Sequence, residues 1–385
     1  MRIVHLCNYF QPELGYQEYF LAIEHAKMGH EVTVVTSERY FPFPDYENTT
    51  KPVLGNRIHE PGEYDLEGYR VIKLPVAFEV SKRVWLKGLE RVLRRLRPDL
   101  VVCHGIGNFN ALRVSSWKKS MGFKLLVDDH MLMSEVNRSI LGKLYYKTFN
   151  FQKVYKSADR IVGVADECVQ YIVDFYRYPK SRVEMIPLGA DTNLFRFEKE
   201  QAAAFRKRNG IDEDAIVITY TGKHTFKKAP HYTLVALDQL RDKLGDKKIV
   251  ALYVGNMEAN YREELELHAA KVADRVKVIM LPAVTNKELV AIYSASDIAS
   301  WPRQGSMSMI EACSCGVPIV CCDFLTERYK NNNGIAIKED NMQDLINAYD
   351  FLINNEAERK AMGQRSRELI MNEMSWKSIA ERYLE

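Results

Sequence analysis

At 385 residues, 46% hydrophobic and 27% charged, the chain carries enough apolar mass for two domains with separate cores. A net charge of +3 and the lack of any nucleic-acid motif give no support to a nucleic-acid partner. No apolar run approaches about 18 residues, and Met1 and Arg2 lead straight into an apolar strand, so neither a spanning helix nor a secretory leader is expected.

Strand-like runs alternate with helical patterns throughout, the mark of parallel α/β architecture. In the first half they fall at Ile3–Cys7, Val32–Thr36, Tyr69–Leu74, Leu100–Cys103, Lys124–Asp128, Arg160–Val164 and Val183–Pro187. A helix is predicted at Gln17–Met28. The stretch Glu38–Gly68, rich in Pro, Gly and the aromatics Tyr40, Phe41, Phe43 and Tyr46, reads as a long loop: either a sugar- or lipid-contacting segment or a surface insertion. Residues 81–97 read as an amphipathic helix with seven basic residues against one acid and a stripe of Val84, Trp85, Leu89, Val92, Leu93 and Leu96. Such a helix either lies on an anionic membrane or buries its stripe on the sheet.

Turn-forming residues from Pro187 to Asn193 place a domain boundary near Leu188–Phe197, followed by a polar helix at Lys199–Arg208 and a turn at Asn209 and Gly210. The second half repeats the rhythm, with strands at Ala215–Tyr220, Lys248–Val254, Val276–Leu281, Asp297–Trp301, Ile319–Cys322 and Gly334–Ile337 and a helix at Arg262–Ala273. Many runs are apolar without alternation, as in sheets covered on both faces. Each half is expected to be doubly wound, with ligands at the carboxyl ends of its strands. The seven cysteines read as core thiols of a reducing cytoplasm; the spacing of Cys313, Cys315, Cys321 and Cys322 fits no zinc template.

Residues 301–320 are the most informative. Trp301 and Pro302 end an apolar run, Gly305 and Ser306 form a small turn, and helical spacing follows with Glu311 about one and a half turns in. Gly316 and Pro318 then stop the helix. A strand, a small-residue turn and a helix N-terminus make an anion site, and a carboxylate just inside accepts hydrogen bonds from two ribose hydroxyls. Phosphate and ribose together imply a nucleotide.

With these segments in this order, the chain resembles family 4-type retaining glycosyltransferases of the GT-B fold along nearly its whole length. The resemblance rests on residues 11–16 with the following helix and strand, the linker 186–195, Tyr220–Lys223 with Lys228, Leu281–Val284 through Glu288, Tyr293 and Asp297, the segment 301–320, and Ser375 with Trp376. It implies two Rossmann-like domains facing each other across a cleft. Residues 1–190 would form the acceptor side, with a C-terminal helix at about 373–385 packing back on it, and 191–372 the nucleotide-sugar side. Glu311 matches the last residue of the family's Glu-x7-Glu motif and would hold the ribose. Lys223 and Lys228 match the basic pair that neutralises the departing diphosphate. Ala283 and Val284 would meet the base, and Arg303, Gln304, Gly305, Ser306 and Met307 the sugar and phosphates. Gly15 and Tyr16 would offer backbone contacts to the phosphate from the first domain. His130 matches the active-site histidine, and His104 is a weaker acceptor contact. Asp128 and Asp129, adjacent on an extended chain, point apart and do not make a metal site.

Three departures stand out. Lys223 replaces the commoner Arg, only one glycine stands at Gly15, and the family's first motif glutamate falls on Arg303. Arg303 either pairs with an acidic donor sugar or turns to solvent or diphosphate while Gln304 meets the sugar hydroxyls. The resulting expectation is a cytoplasmic enzyme of glycan or glycolipid synthesis, either free or peripheral on the membrane. It would move a hexose from a nucleotide diphosphate to a glycan or lipid-linked acceptor with retention, without metal or further cofactor. The rivals are a sugar-nucleotide epimerase or hydrolase of the same fold and a non-catalytic nucleotide-sugar-binding subunit. A dinucleotide oxidoreductase is disfavoured because no Gly-x-Gly-x-x-Gly follows the first strand.

Overall fold

The computed structural model describes residues 1–131 and 153–385, which divide into two compact units: Met1–Leu188 with Ile379–Glu385, and Gly189–Ser378.

The first unit is built on an eight-stranded sheet. Its strands are β1 (Arg2–Leu6), β2 (Glu31–Ser37), β3 (Gly62–Leu66), β4 (Tyr69–Leu74), β7 (Leu100–His104), β8 (Lys124–Asp129), β9 (Arg160–Gly163) and β10 (Glu184–Met185). The hairpin strands β5 (Val76–Val80) and β6 (Arg83–Leu86) stand apart from it. The sheet runs β10-β9-β8-β7-β1-β2-β4-β3, parallel except for β3. Strands β7 and β8 are buried nearly throughout, as their non-alternating sequences predict; the helix Phe109–Met121 packs on β8 and the helix Gln17–Lys27 on β2 and β4.

Two expectations for this unit are corrected. The stretch Glu38–Gly68 is not a bare loop. It folds into the short helices Tyr46–Thr49 and Lys51–Leu54 and the edge strand β3, and its aromatics Tyr40 and Tyr46 close with Leu54 into a small core of their own. Residues 81–97 are not one helix. The chain turns at Ser81 and Lys82, both at positive φ, to form the β5–β6 hairpin, and only Leu89–Leu96 is helical. Val84, Leu89 and Leu93 of the stripe are fully buried in the unit's core, Val92 and Leu96 pack against it, and Trp85 is exposed. No helix among the described residues is long and apolar enough to cross a membrane.

The second unit holds six parallel strands: β11 (Ile216–Thr221), β12 (Ile249–Val254), β13 (Val276–Leu281), β14 (Ile298–Trp301), β15 (Ile319–Cys322) and β16 (Gly334–Ile337). Their order, β13-β12-β11-β14-β15-β16, is the 3-2-1-4-5-6 order of dinucleotide-binding folds. The switch point lies between β11 and β14, which places the loops beginning at Gly222 and Pro302 side by side. All seven cysteines are buried free thiols.

Candidate functional site

In the second unit the switch point is closed by backbone packing. The indole N–H of Trp301, at the end of β14, donates to the Thr221 carbonyl at the end of β11 at 2.9 Å. Gly222 and Gly255 follow β11 and β12 with φ of 137° and 141°, conformations that favour glycine. A Cβ on Gly255 would lie 2.0 Å from the Gly222 carbonyl oxygen, and one on Gly222 would lie 3.8 Å from Ser306 Oγ. The two turns therefore nest against each other and bring the 222–228 loop to the start of the helix Met307–Ser314.

Ser306 caps that helix, its Oγ accepting from the Ser308 N–H at 3.4 Å. Glu311 follows on its inner face, and the buried Tyr293 hydroxyl reaches it at 3.3 Å while sharing a 2.9 Å hydrogen bond with Thr221. Glu311 keeps some contact with solvent, yet desolvation pushes its carboxyl up to about 7, opposed by the Tyr293 hydrogen bond. A carboxylate held this way, with one weak donor, is poised to accept hydroxyl hydrogen bonds.

Lys223 is exposed and pairs with Glu258 at 2.8 Å. Lys228 is half-buried; burial, then Lys223 and Lys227, lower its pKa. Crowded ammonium groups of this kind gain from an anion. Ala283 is exposed and Val284 half-buried after β13, just before the capping box of Thr285 and Glu288 that starts the helix Asn286–Ser294. Gln304 and Ser306 are half-buried, Gly305 and Met307 exposed.

Arg303 is partly exposed and pairs within the chain. Its guanidinium meets Asp340 at 2.9 and 3.0 Å, with the Phe226 carbonyl at 3.4 Å, so a carboxylate of the chain itself occupies it. A shallow depression of about 550 Å³ lies elsewhere, lined by Gly210, Asp212, Lys248 and Lys277 before the amino ends of β11, β12 and β13; no donor candidate borders it.

In the first unit the switch point lies between β1 and β7, where Asn8 donates to Asn108 at 2.7 Å. Gly15, at φ 62°, ends the short turn Pro12–Leu14, and Tyr16, 44% exposed, precedes the helix Gln17–Lys27. The sequence reading missed what lies behind them. His25 Nε2 contacts the Ala380 carbonyl, His25 Nδ1 contacts His5 Nε2, and His5 Nδ1 contacts His104 Nε2, each at 3.0 Å. His104 Nδ1 lies 2.7 Å from Asp128 Oδ2.

The terminal carbonyl fixes every proton in this chain. It only accepts, so His25 Nε2 donates and neutral His25 Nδ1 accepts from His5 Nε2. His5 Nδ1 then accepts from His104 Nε2. With Asp128 ionised, His104 also donates from Nδ1 and is an imidazolium. Burial opposes that charge, but the Asp128 charge and hydrogen bond outweigh it and raise the His104 pKa. In return His104 lowers Asp128 despite complete burial. Burial drives His5 well below the usual imidazole range and His25 to about 4, keeping both neutral.

Asp128 also accepts from the Gly105 N–H and the Tyr383 hydroxyl, both at 3.1 Å. Its Oδ1 lies 3.9 Å from His130 Nε2. The His130 side chain is 42% exposed; desolvation lowers its pKa and Asp128 partly restores it. Asp129 turns away to the Met131 N–H at 3.1 Å. The only sequence signal for this network was three histidines on apolar elements, at positions 5, 25 and 104.

Two family profiles match the chain: "Glycosyltransferase Family 4" over residues 19–194 and "Glycosyl transferases group 1" over 201–369. A D-inositol 3-phosphate glycosyltransferase of Kribbella flavida is 25% identical over 320 residues, 80% of this chain and 67% of that protein. The match to the Geodermatophilus obscurus protein of the same name spans only 52% of its length. An uncharacterized glycosyltransferase of Methanocaldococcus jannaschii is 22% identical over 92% of this chain and 88% of its own. Among solved structures, Anabaena HepE in complex with UDP superposes with a TM-score of 0.69 at 15% identity, covering 100% of this chain and 98% of HepE. HepE has also been solved with UDP-glucose.

Proposed function

This chain belongs to the family 4-type glycosyltransferases of the GT-B fold, and from that premise we propose that its second unit holds a nucleoside-diphosphate sugar whose hexose passes to a hydroxyl of a glycan or lipid-linked acceptor. The observation that carries the reading is Glu311, a desolvated carboxylate set behind a capped helix start at the switch point of a 3-2-1-4-5-6 sheet. In this reading Glu311 accepts the ribose hydroxyls, Ala283 and Val284 flank the base, and Lys223, Lys228 and the turn Gly305–Met307 receive the diphosphate.

The anomeric carbon–oxygen bond breaks with its electron pair leaving on the diphosphate. Fixed ammonium groups stabilise that growing charge without a metal. The acceptor oxygen bonds to the same face of the sugar, giving retention, and its proton passes to the departing phosphate oxygen. His130, backed by Asp128, orients a sugar hydroxyl, and His104 acts through Asp128 rather than by touching the acceptor.

Because Asp340 already occupies Arg303, the hexose hydroxyls fall to Gln304 and the donor sugar is neutral. Arg303→Glu should then reduce turnover of UDP-glucose and UDP-glucuronic acid equally; a selective loss of the acidic donor would revive the charged-sugar reading. A lipid-linked acceptor would be met by the β5–β6 hairpin, which exposes Phe78, Val80 and Trp85 beside Lys82.

UDP is the first ligand to test, by calorimetry on the wild type and Glu311→Ala. A charge-assisted hydrogen bond contributes about 1.5–3 kcal/mol, so the variant should bind roughly 10–100-fold more weakly. No binding of any nucleoside diphosphate to the wild type would sink the reading. Binding without turnover on any acceptor would favour the non-catalytic subunit, and isomerised donor would favour the epimerase.

A further inference from the structure

Beside Arg303 and the 222–228 loop, a second cluster of chemistry-bearing side chains converges in the second unit. His231 lies just before the helix Tyr232–Gln239, and Glu264 and His268 lie one turn apart on the helix Ala259–Val272. Spacing of i, i+4 puts the last two on one helical face. Glu264 Oε1 is 3.1 Å from His268 Nε2 and 3.8 Å from His231 Nε2, and the three potential ligand atoms all lie within 4.8 Å of one another. The two imidazoles are stacked, with centroids 5.1 Å apart. Ligand atoms around a tetrahedral zinc stand about 3.3 Å apart, given bonds of about 2.0–2.1 Å. The two separations from Glu264, 3.1 and 3.8 Å, bracket that figure.

The surroundings fit the same chemistry. His231 Nδ1 lies 2.7 Å from the hydroxyl of the buried Tyr261, which also accepts the His231 backbone N–H at 2.9 Å. An Nδ1–H directed at that oxygen leaves the Nε2 lone pair turned to Glu264, the arrangement by which an outer partner orients a metal-binding histidine.

We propose that His231, Glu264 and His268 form a binding site for one divalent transition-metal ion of the zinc class, clipping the start of the Tyr232 helix to the Ala259 helix. Two imidazoles and one carboxylate select zinc, cobalt or nickel over magnesium or calcium, which want oxygen throughout. The fourth position falls to water. None of the three residues is assigned to the donor or the transfer step, so the ion is structural.

The test is equilibrium dialysis of the purified full chain, stripped with chelator and titrated with zinc chloride, beside His231→Ala and His268→Gln. Cobalt chloride gives an independent readout through the visible absorption of a four-coordinate N/O site. The proposal expects one zinc per chain at micromolar free metal, a rise in Tm with zinc but not magnesium, and a loss of affinity of at least tenfold in each variant. Circular dichroism and the urea midpoint check that the variants remain folded. Failure of wild-type chain to take up zinc at 10–100 times micromolar levels, or an equivalent retained unchanged in both folded variants, would overturn it. Because UDP binding is read separately, this outcome and the donor assignment stand or fall independently.

Discussion

Near the switch point of the first unit the ionisable groups are wired to one another: Ala380 and His25 on helices and His5, His104 and Asp128 on strands form one buried line of hydrogen bonds. At the switch point of the second unit Lys223 and Arg303 have carboxylate partners, but Glu311 has the Tyr293 hydroxyl at 3.3 Å and Lys228 sits among other lysines. A switch point between the first strand and its outward neighbour, present in both sheets, thus supports two electrostatic policies. A charge whose partners lie within the protein stabilises the fold, whereas a charge left wanting them is available to a ligand at a cost in stability.

Removing one charge from each unit should therefore have opposite effects. The largest change is expected from His104→Phe, which leaves Asp128 ionised, buried and short of its main counter-charge. Breaking a buried pair costs about 3–5 kcal/mol, to be read as a lower urea midpoint for the first unit's transition. An unchanged midpoint would break the contrast. Glu311→Gln should do the reverse. The folded-state pKa of Glu311 is raised to about 7 from its ordinary 4.5, so the folded form holds the extra proton. Its contribution is fully present below about pH 4.5 and is lost as pH rises through 7. At pH 8 the Gln variant should be more stable than wild type by roughly 1–3 kcal/mol, with the gap closing towards pH 4.5, while UDP binding weakens.

The acid limb sharpens the comparison. His25 is depressed to about 4, so the unfolded chain takes up a proton near 6.5 that the folded first unit refuses. Stability is present above 6.5 and falls as pH drops towards 4, by roughly 2–3 kcal/mol from His25 alone. His25→Gln donates to Ala380 and accepts from His5 without titrating, and should flatten that limb in a thermal-melt series from pH 7 to 4. The smallest effect is expected from Tyr293→Phe. Loss of one hydrogen bond of about 1 kcal/mol lets the Glu311 pKa rise further, weakening UDP binding a few-fold at pH 7 with little effect at pH 8.5.

Much of this architecture was legible in the sequence. Uninterrupted apolar runs such as Leu100–His104 and Ile249–Val254 announce strands covered on both faces, and every predicted strand is present with ends shifted by up to two residues. The switch-point turn at 302–306 was legible because its signals are local. Residues 81–97 misled because Val84, Leu89, Val92, Leu93 and Leu96 all face the core, and a short strand followed by a helix imitates helical spacing. The turn between strands uses Ser81 and Lys82 at positive φ, where glycine or asparagine would have signalled it. The histidine line and the Arg303–Asp340 pair were illegible for another reason. Each joins residues far apart in sequence, and side-chain hydrogen bonding imposes no periodicity.

Two of the first unit's inner contacts, the Ala380 carbonyl and the Tyr383 hydroxyl, come from Ile379–Glu385. A ribosome makes those seven residues only after the whole of Gly189–Ser378. The strands of the first unit can pair while the second is still being synthesised, but until then His25 has no terminal acceptor and Asp128 lacks a donor. Order of synthesis and order of completion are therefore interleaved: the unit begun first is finished by residues that follow the other.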